Sequence, residues 1–465
     1  MKAGIRSSVM IAILILLLVA GVSLTQARQM GNTIPPTGAL PQGANLPWVA
    51  ENVDIAPNLT HVGMYTSLAF RPYDDYPMIS YYDQTNGALM LANPTDIGYG
   101  SCGENADWNC ITLDQTGDVG QFTSIDVWGN SEQNWKYGIS YYDATNRALK
   151  ARIVSCVDGS CTGGNITISS PDFPIISIGL YTSFKFSSTG IPGIAYHVVN
   201  TSATDSLMYA YPVTSGGNCG EGTEAGLWEC QTVDHGEGVG QYASQDLSWD
   251  DQVFIAYYDA GLGNLKYAYF AGFGACDNGW ECFVLDGADG SDVGSYASIT
   301  APQFSGDLYR IVYYDKTNGH LKYYDLPWGP LIVDDMGTSL SPMGISMAID
   351  NGGYPIIAYQ KIESDFSNPI LLVARPYMAF NDDSLGNCGD VPPGYVFQYW
   401  RCNILDNAGQ YLSEAEYVSV AVNSSGVAEI AYPEFYAYDQ GDNNTSLKVI
   451  YQVYLHSFLP ILFKP

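Results

Sequence analysis

Short apolar runs ending in tyrosine recur along the chain. They read Ile79 to Asp83 (ISYYD), Ile139 to Asp143 (ISYYD), Ile194 to His197, Ile255 to Asp259, Ile311 to Asp315, Ile357 to Gln360 and Ile430 to Pro433. Their apolar positions are consecutive instead of alternating, which marks strands covered on both faces. A serine precedes each run, at Ser67, Ser124, Ser183, Ser244, Ser298, Ser346 and Ser419, a period of 48 to 73 residues. Periods of this length belong to propellers or solenoids. Turn chemistry follows at Gln84-Thr85-Asn86-Gly87, Ala144-Thr145-Asn146-Arg147 and Lys316-Thr317-Asn318-Gly319, leading to Leu89, Leu149-Lys150, Leu265-Lys266, Leu321-Lys322 and Leu447-Lys448. Each repeat is therefore expected to contain a hairpin.

A fourth strand is marked by Trp and Asp six residues apart, at Trp108 and Asp114, Trp228 and Asp234, Trp280 and Asp286, Trp328 and Asp334, and Trp400 and Asp406. The even spacing predicts both side chains on one face of the strand. The second repeat has Asn165-Ile166-Thr167-Ile168 instead, and the seventh stops after three strands. The missing strand stands at the other end of the chain, where Trp48 and Asp54 keep the spacing. A repeat split between the termini closes a ring and removes exposed edges, for which a solenoid has no use. The expected fold is all-β, a seven-bladed β-propeller of four-stranded antiparallel blades over residues 48–453, closed by an N-terminal strand.

Units such as Ile311-Val312-Tyr313-Tyr314-Asp315-Lys316-Thr317-Asn318-Gly319-His320-Leu321-Lys322 resemble blades of secreted bacterial propellers, loosely of the sialidase and fucose-lectin types. The resemblance spans the blade region and implies fold more than function. The chain departs from both types. It has no Ser-x-Asp-x-Gly-x-Thr-Trp box, and Arg71, Arg152, Arg310, Arg375 and Arg401 hold no consistent blade position.

The ends and the cysteines point to export. Lys2 and Arg6 precede an apolar run from Val9 to Val22, and Thr25-Gln26-Ala27 suits cleavage, so 1–27 is expected to be a signal peptide and 28–47 a Pro- and Gly-rich linker. Residues 454–465 form an apolar tail too short to span a bilayer, either an export or retention signal or a strand extension. Ten cysteines fall as neighbours, Cys102 with Cys110, Cys156 with Cys161, Cys219 with Cys230, Cys276 with Cys282 and Cys388 with Cys402. Local disulfides follow, each worth roughly 2 to 3 kcal/mol by loop closure. The formal charge is -30, or -32 without Lys2 and Arg6. So acidic a surface disfavours nucleic acid and anionic membrane.

Candidate chemistry collects on the face carrying the turns after second strands and the linkers after fourth strands. Asp83, Asp143, Asp259 and Asp315 end second strands; Asp114 and Asp234 end fourth strands. They are expected either to form a ligand-binding rim or to cap turns by accepting backbone amides. Asp286, Asp289 and Asp292 form the best calcium candidate, since hard cations take several carboxylate oxygens, although the spacing does not match an Asp-x-Asp-x-Asp-Gly loop. The pairs Tyr81-Tyr82, Tyr141-Tyr142, Tyr257-Tyr258 and Tyr313-Tyr314 either stack on sugars or pack between blades. On the opposite face, Tyr395, Phe397 and Tyr399 sit in the longest loop. Histidines at 61, 197, 235, 320 and 456 lie in no nucleophile motif, and no Gly-x-Ser-x-Gly elbow exists. The expectation is a secreted, monomeric recognition module that binds extracellular glycan or protein without catalysis. The alternatives are a sialidase-like glycan hydrolase and a structural surface protein.

Overall fold

The computed structural model describes residues 46–453 apart from 56–59, 172–174, 202–203, 326–328, 338–343, 363–368, 381–384, 392–397, 407–416 and 438–442. The expected leader, nearly all of the linker and the tail lie outside the described residues, as do Trp328, Tyr395 and Phe397. The described chain forms seven four-stranded antiparallel sheets. Blade one contains Met64–Phe70, Pro77–Asp83, Ala88–Pro94 and Trp108–Asp114, hydrogen-bonded in that order, and blades two to six repeat the meander. Blade seven is split, with Trp48–Asp54 paired antiparallel to Asn443–Gln452 beside Ala428–Ala437 and Ser419–Val422. The protein is thus a seven-bladed β-propeller closed by its N-terminal strand. No described helix is long and apolar enough to cross a membrane.

The first strands line the axis, and the recurrent serines join them. Each serine Oγ accepts the amide of the next blade's first strand: Ser67 from Ile125, Ser124 from Phe184, Ser183 from Gln245, Ser244 from Ile299, Ser298 from Met347, Ser346 from Val420 and Ser419 from Leu68, at 2.9 to 3.2 Å. The seventh bond returns to the first blade, so the hydrogen-bonded ring is complete. Four residues ahead of the serine, Gly240 and Gly294 show why the blades sit so close there. At Gly294 (φ +115) a Cβ would lie 2.7 Å from Leu265 Cα in the preceding blade.

Between blades the strands bury apolar faces against each other. Ala256, Leu265 and Tyr267 of blade four meet Ile299, Ile311 and Tyr313 of blade five, and comparable clusters fill the other seams. The first tyrosine of each pair, Tyr81, Tyr141, Tyr257 and Tyr313, packs in these seams, and the second is buried as well. In one respect the fourth strand differs from expectation. Trp108 packs toward blade seven, its indole donating to Glu51, while Asp114 faces blade two, where Tyr141 donates to it. A one-residue bulge opposite Leu89 and Met90 reverses the alternation between them, so tryptophan and aspartate serve opposite seams. The same register shift occurs in blades three to six.

All five local disulfides are present: Cys102–Cys110, Cys156–Cys161, Cys219–Cys230, Cys276–Cys282 and Cys388–Cys402. They staple the connections between third and fourth strands and leave no free cysteine among the described residues. Cystines in this number agree with an oxidising compartment.

Gly294→Ala should cost more stability than Gly216→Ala, which also has positive φ (+75) but nothing within 4 Å of its added carbon. Backbone strain alone costs about 1–3 kcal/mol; urea denaturation of both variants should place Gly294→Ala beyond that by the price of the clash. Equal midpoints would deny the close approach of the blades.

Candidate functional site

The turns after second strands and the linkers after fourth strands touch, which puts them on one face: Val119 N donates to Gly87 O, Ala144 N to Asp118 O and Lys316 N to Asp292 O. The predicted carboxylates stand on this face, and each is already engaged. Asp83, Asp143 and Asp315 accept both the backbone amide and the side-chain amide of Asn86, Asn146 and Asn318, at 2.7 to 3.0 Å. Asp259 accepts Leu262 N. These four cap their turns and are buried. The turn threonines Thr85, Thr145 and Thr317 accept amides of the adjoining linkers at His61, Asp118 and Asp292, locking turn to linker.

Asp114 and Asp234 belong to a second device. At six seams a fourth-strand aspartate accepts the hydroxyl of the first tyrosine of the next blade's run: Asp54 from Tyr81, Asp114 from Tyr141, Asp234 from Tyr257, Asp286 from Tyr313, Asp334 from Tyr359 and Asp406 from Tyr432. Lys150, Lys266, Lys322, Lys361 and Lys448 add an ammonium to five of them. Four of these lysines occupy the third strand, whereas Lys361 reaches its aspartate from the second. The seam between blades two and three lacks the aspartate, as the divergent sequence at 165–168 foretold.

Charge pairing separates Asp54 from Asp114. Burial raises Asp54, and the Tyr81 hydrogen bond only partly offsets it, because Met90 stands where the next blade has Lys150. Burial also pushes Asp114 up, but Lys150, Tyr141 and the Thr116 amide together hold it below its ordinary value. Lys322 is raised: burial opposes this, and its bonds to Asp315 and Asp286 outweigh the burial.

In the calcium candidate, Asp286 accepts Gly287 N at 2.9 Å besides Tyr313 and Lys322. Asp289 accepts both the amide and the hydroxyl of Ser291, and Asp292 accepts Tyr258 and lies 3.3 Å from Lys316 Nζ. Among the described residues the close grouping of metal-ligand types is Asp234, Cys276 and Cys282, and both of its sulfurs are spent in a cystine.

A feature absent from the sequence expectations surrounds the axis. Two residues before the serine, Tyr65, Phe122, Tyr181, Tyr242, Tyr296 and Tyr417 form an arc of rings interrupted by Gly344 in blade six. Neighbouring ring centroids lie 4.2 to 4.8 Å apart. Five of these residues have φ between 50 and 55°, each inside a bulge of its first strand. The bulge turns the ring toward the axis, at the cost of left-handed backbone. The Gly-x-aromatic-x-Ser spacing in blades one to five was the available signal. Beside the arc lies a recess of about 480 Å³ lined by Met64, Tyr65, Tyr82, Gln84, Asp118, Gln121 and Tyr417. On the far side the channel widens into a cavity of about 860 Å³ containing Asp126, Lys185, Asp246 and Arg310. Among the described residues, Arg71 pairs with Asp74 and Arg310 with Asp307, while Arg375, paired with Asp350, stands opposite Arg401 on the neighbouring strand, both over the Phe380 ring and away from the axial cavity.

No protein-family model matches the chain, and no curated protein matches it. Solved structures similar in fold include a Penicillium chrysogenum alpha-L-arabinanase complexed with arabinobiose (12% identity, 67% of this chain and 94% of that one, TM-score 0.39). Another is the fucose-specific lectin from Aleuria aurantia (12%, 74% and 100%, TM-score 0.39). A third is the subtype N11 neuraminidase-like protein of A/flat-faced bat/Peru/033/2010 (10%, 89% and 98%, TM-score 0.36). Similarity this distant carries no argument about ligand or activity.

Lys150→Met would copy blade one's Met90 into blade two and should move Asp114 from below its ordinary pKa to above it, as at Asp54. Wild-type Asp114 adds stability above its unfolded value of 3.8 and loses it as pH falls through the lower folded value. In the variant the raised carboxyl costs stability above that pH. The deficit of Lys150→Met in urea unfolding should therefore be large at pH 7 and shrink toward pH 3; a deficit independent of pH would rule out the pairing as its cause.

Proposed function

We propose that the protein is a secreted, non-enzymatic recognition module whose ligand is an extracellular glycan, bound on the face that carries the aromatic arc. The observation behind this reading is the recess beside Tyr65 and Tyr417. The polar groups that recur from blade to blade are consumed in turns and seams, whereas the Gln84 side chain, whose backbone alone ties turn to linker, and Gln121, which donates to Asp118 at 3.4 Å, line this recess with Tyr82 and Asp118. Hydroxyl, amide and carboxylate groups beside aromatic rings suit the polar edge and the C–H face of a sugar. A sialidase-like chemistry needs several arginines converging beside a tyrosine and a carboxylate; the lining of the axial cavity has one, Arg310, already paired with Asp307, which favours binding. Calcium at Asp286, Asp289 and Asp292 enters as a further proposal, to be judged by chelation.

The test is a glycan array probed with the purified full-length protein, with calcium and then with chelator, the spotted glycans being checked for cleavage. Binding without cleavage, reduced about tenfold by Gln121→Ala through loss of a hydrogen bond in the recess, is the expected result. Silence on every glycan would redirect the search to protein partners, and cleavage would establish the hydrolase. Loss of binding on chelation would bring the Asp286 to Asp292 segment into the site.

A further inference from the structure

A second recess lies on the opposite face, between blades four and five, where the turns joining first to second strands project. It has a volume of about 500 Å³. Its floor is built from Phe254, Tyr267 and Tyr269, whose rings stack at centroid distances of 5.9 and 6.2 Å. Its walls are Trp249 and Phe304, 57% and 63% exposed. We propose that this groove is a second saccharide-binding site, taking a neutral pyranose chain between the Trp249 and Phe304 rings.

Four observations carry the proposal. First, the exposed rings contribute nothing evident to folding. The corresponding turns Ser187–Ile191 in blade three and Asn423–Val427 in blade seven carry no aromatic residue; at the place of Trp249 they have Ser188 and Ser424, whose amide and hydroxyl bond Asp251 and Asp75 of the next blade. Second, the walls are held at fixed spacing. Trp249 N donates to Pro302 O at 3.0 Å, tying the two turns together, and the Phe304 turn is anchored by Asp307, which accepts Gln303 N and pairs with Arg310. Turns tied together in this way lose little backbone freedom when a sugar enters. Third, polar groups line the groove together with the rings. Asp250 uses Oδ1 to accept the Ser248 hydroxyl, while its Oδ2 and the Trp249 indole N–H have no protein partner among the described residues. An acceptor and a donor beside stacked rings match a sugar, which offers hydroxyls at its edge and C–H bonds on its face.

Fourth, size and charge select the occupant. The volume falls in the range of small-ligand clefts, about 300–1,000 Å³, whereas a protein partner would need a contiguous patch of about 800 Å². Asp250 beside the groove and the net charge of -30 oppose uronic, sialic or phosphorylated sugars. A neutral chain faces no such penalty. The site does not depend on the arc-side recess binding anything, and a different set of variants reads it.

Full-length protein would be titrated with neutral tetrasaccharides of glucose, mannose and galactose, β-1,4- and β-1,3-linked, and followed by calorimetry and by saturation-transfer NMR. At least one should bind, with saturation transferred to its ring C–H protons. Trp249→Ala should weaken that binding about 5- to 10-fold, the worth of one aromatic stack, and the Trp249→Ala/Phe304→Ala double variant should abolish it. Trp249→Phe should keep most of it. Because both side chains are exposed, the urea midpoints of these variants should match wild type, and Gln121→Ala should bind here as wild type does. Binding that persists unchanged in the double variant overturns the groove while leaving the arc-side reading intact. So does failure of all the neutral tetrasaccharides to bind, or binding confined to acidic sugars or to a protein.

Discussion

Seven hydrogen bonds around the axis set the terms for everything else in this molecule. Each serine Oγ reaches the backbone amide of the neighbouring first strand, and the last one must reach the first. A ring of this kind fixes the rotation between blades, since an error repeated seven times would leave the circle open or overlapping. The glycines that let a first strand lie against the third strand of the preceding blade follow from the same constraint. So do the strand bulges, which absorb the residue needed to bring serine and amide into line and, in doing so, swing an aromatic ring toward the channel mouth.

Farther from the axis, the seams are riveted by charge-assisted bonds instead of backbone ones. An aspartate from one blade meets a tyrosine and usually a lysine from the next, so the carboxylate is shielded from water and neutralised at once. Where the lysine is missing, at Asp54, burial prevails and the carboxyl is raised; where it is present, at Asp114, the pair prevails. The bulge ahead of each aspartate makes the geometry possible by letting tryptophan and aspartate of one strand serve opposite neighbours.

This construction separates scaffold from recognition. Residues that repeat in every blade are spent on closing turns and seams, and the acidic character of the rim is largely the by-product of that bonding. What remains for a ligand is the part of each face that departs from the repeat: the recess near Gln84 and Gln121, the gap in the aromatic arc at Gly344, and the groove flanked by Trp249 and Phe304. A rigid ring stapled by five cystines holds such departures at fixed positions, which favours pre-organised binding.

Much of the fold was legible in the one-dimensional pattern. The buried runs, the turn residues, the neighbouring cysteines and the strand displaced from the end of the chain to its beginning are local signals, each set by the conformational preference of a few adjacent residues. The division of labour among the polar residues was not. Whether Asp83 binds a ligand or Asn86 can be guessed from adjacency, but whether Asp114 faces solvent or Tyr141 depends on a bulge and on the packing of two blades. The arc and the Trp249–Phe304 groove are assembled from positions a full blade apart, so no short window of sequence contains them. Backbone preference determined the blades; only their closure into a ring decided which side chains were left over to meet something else.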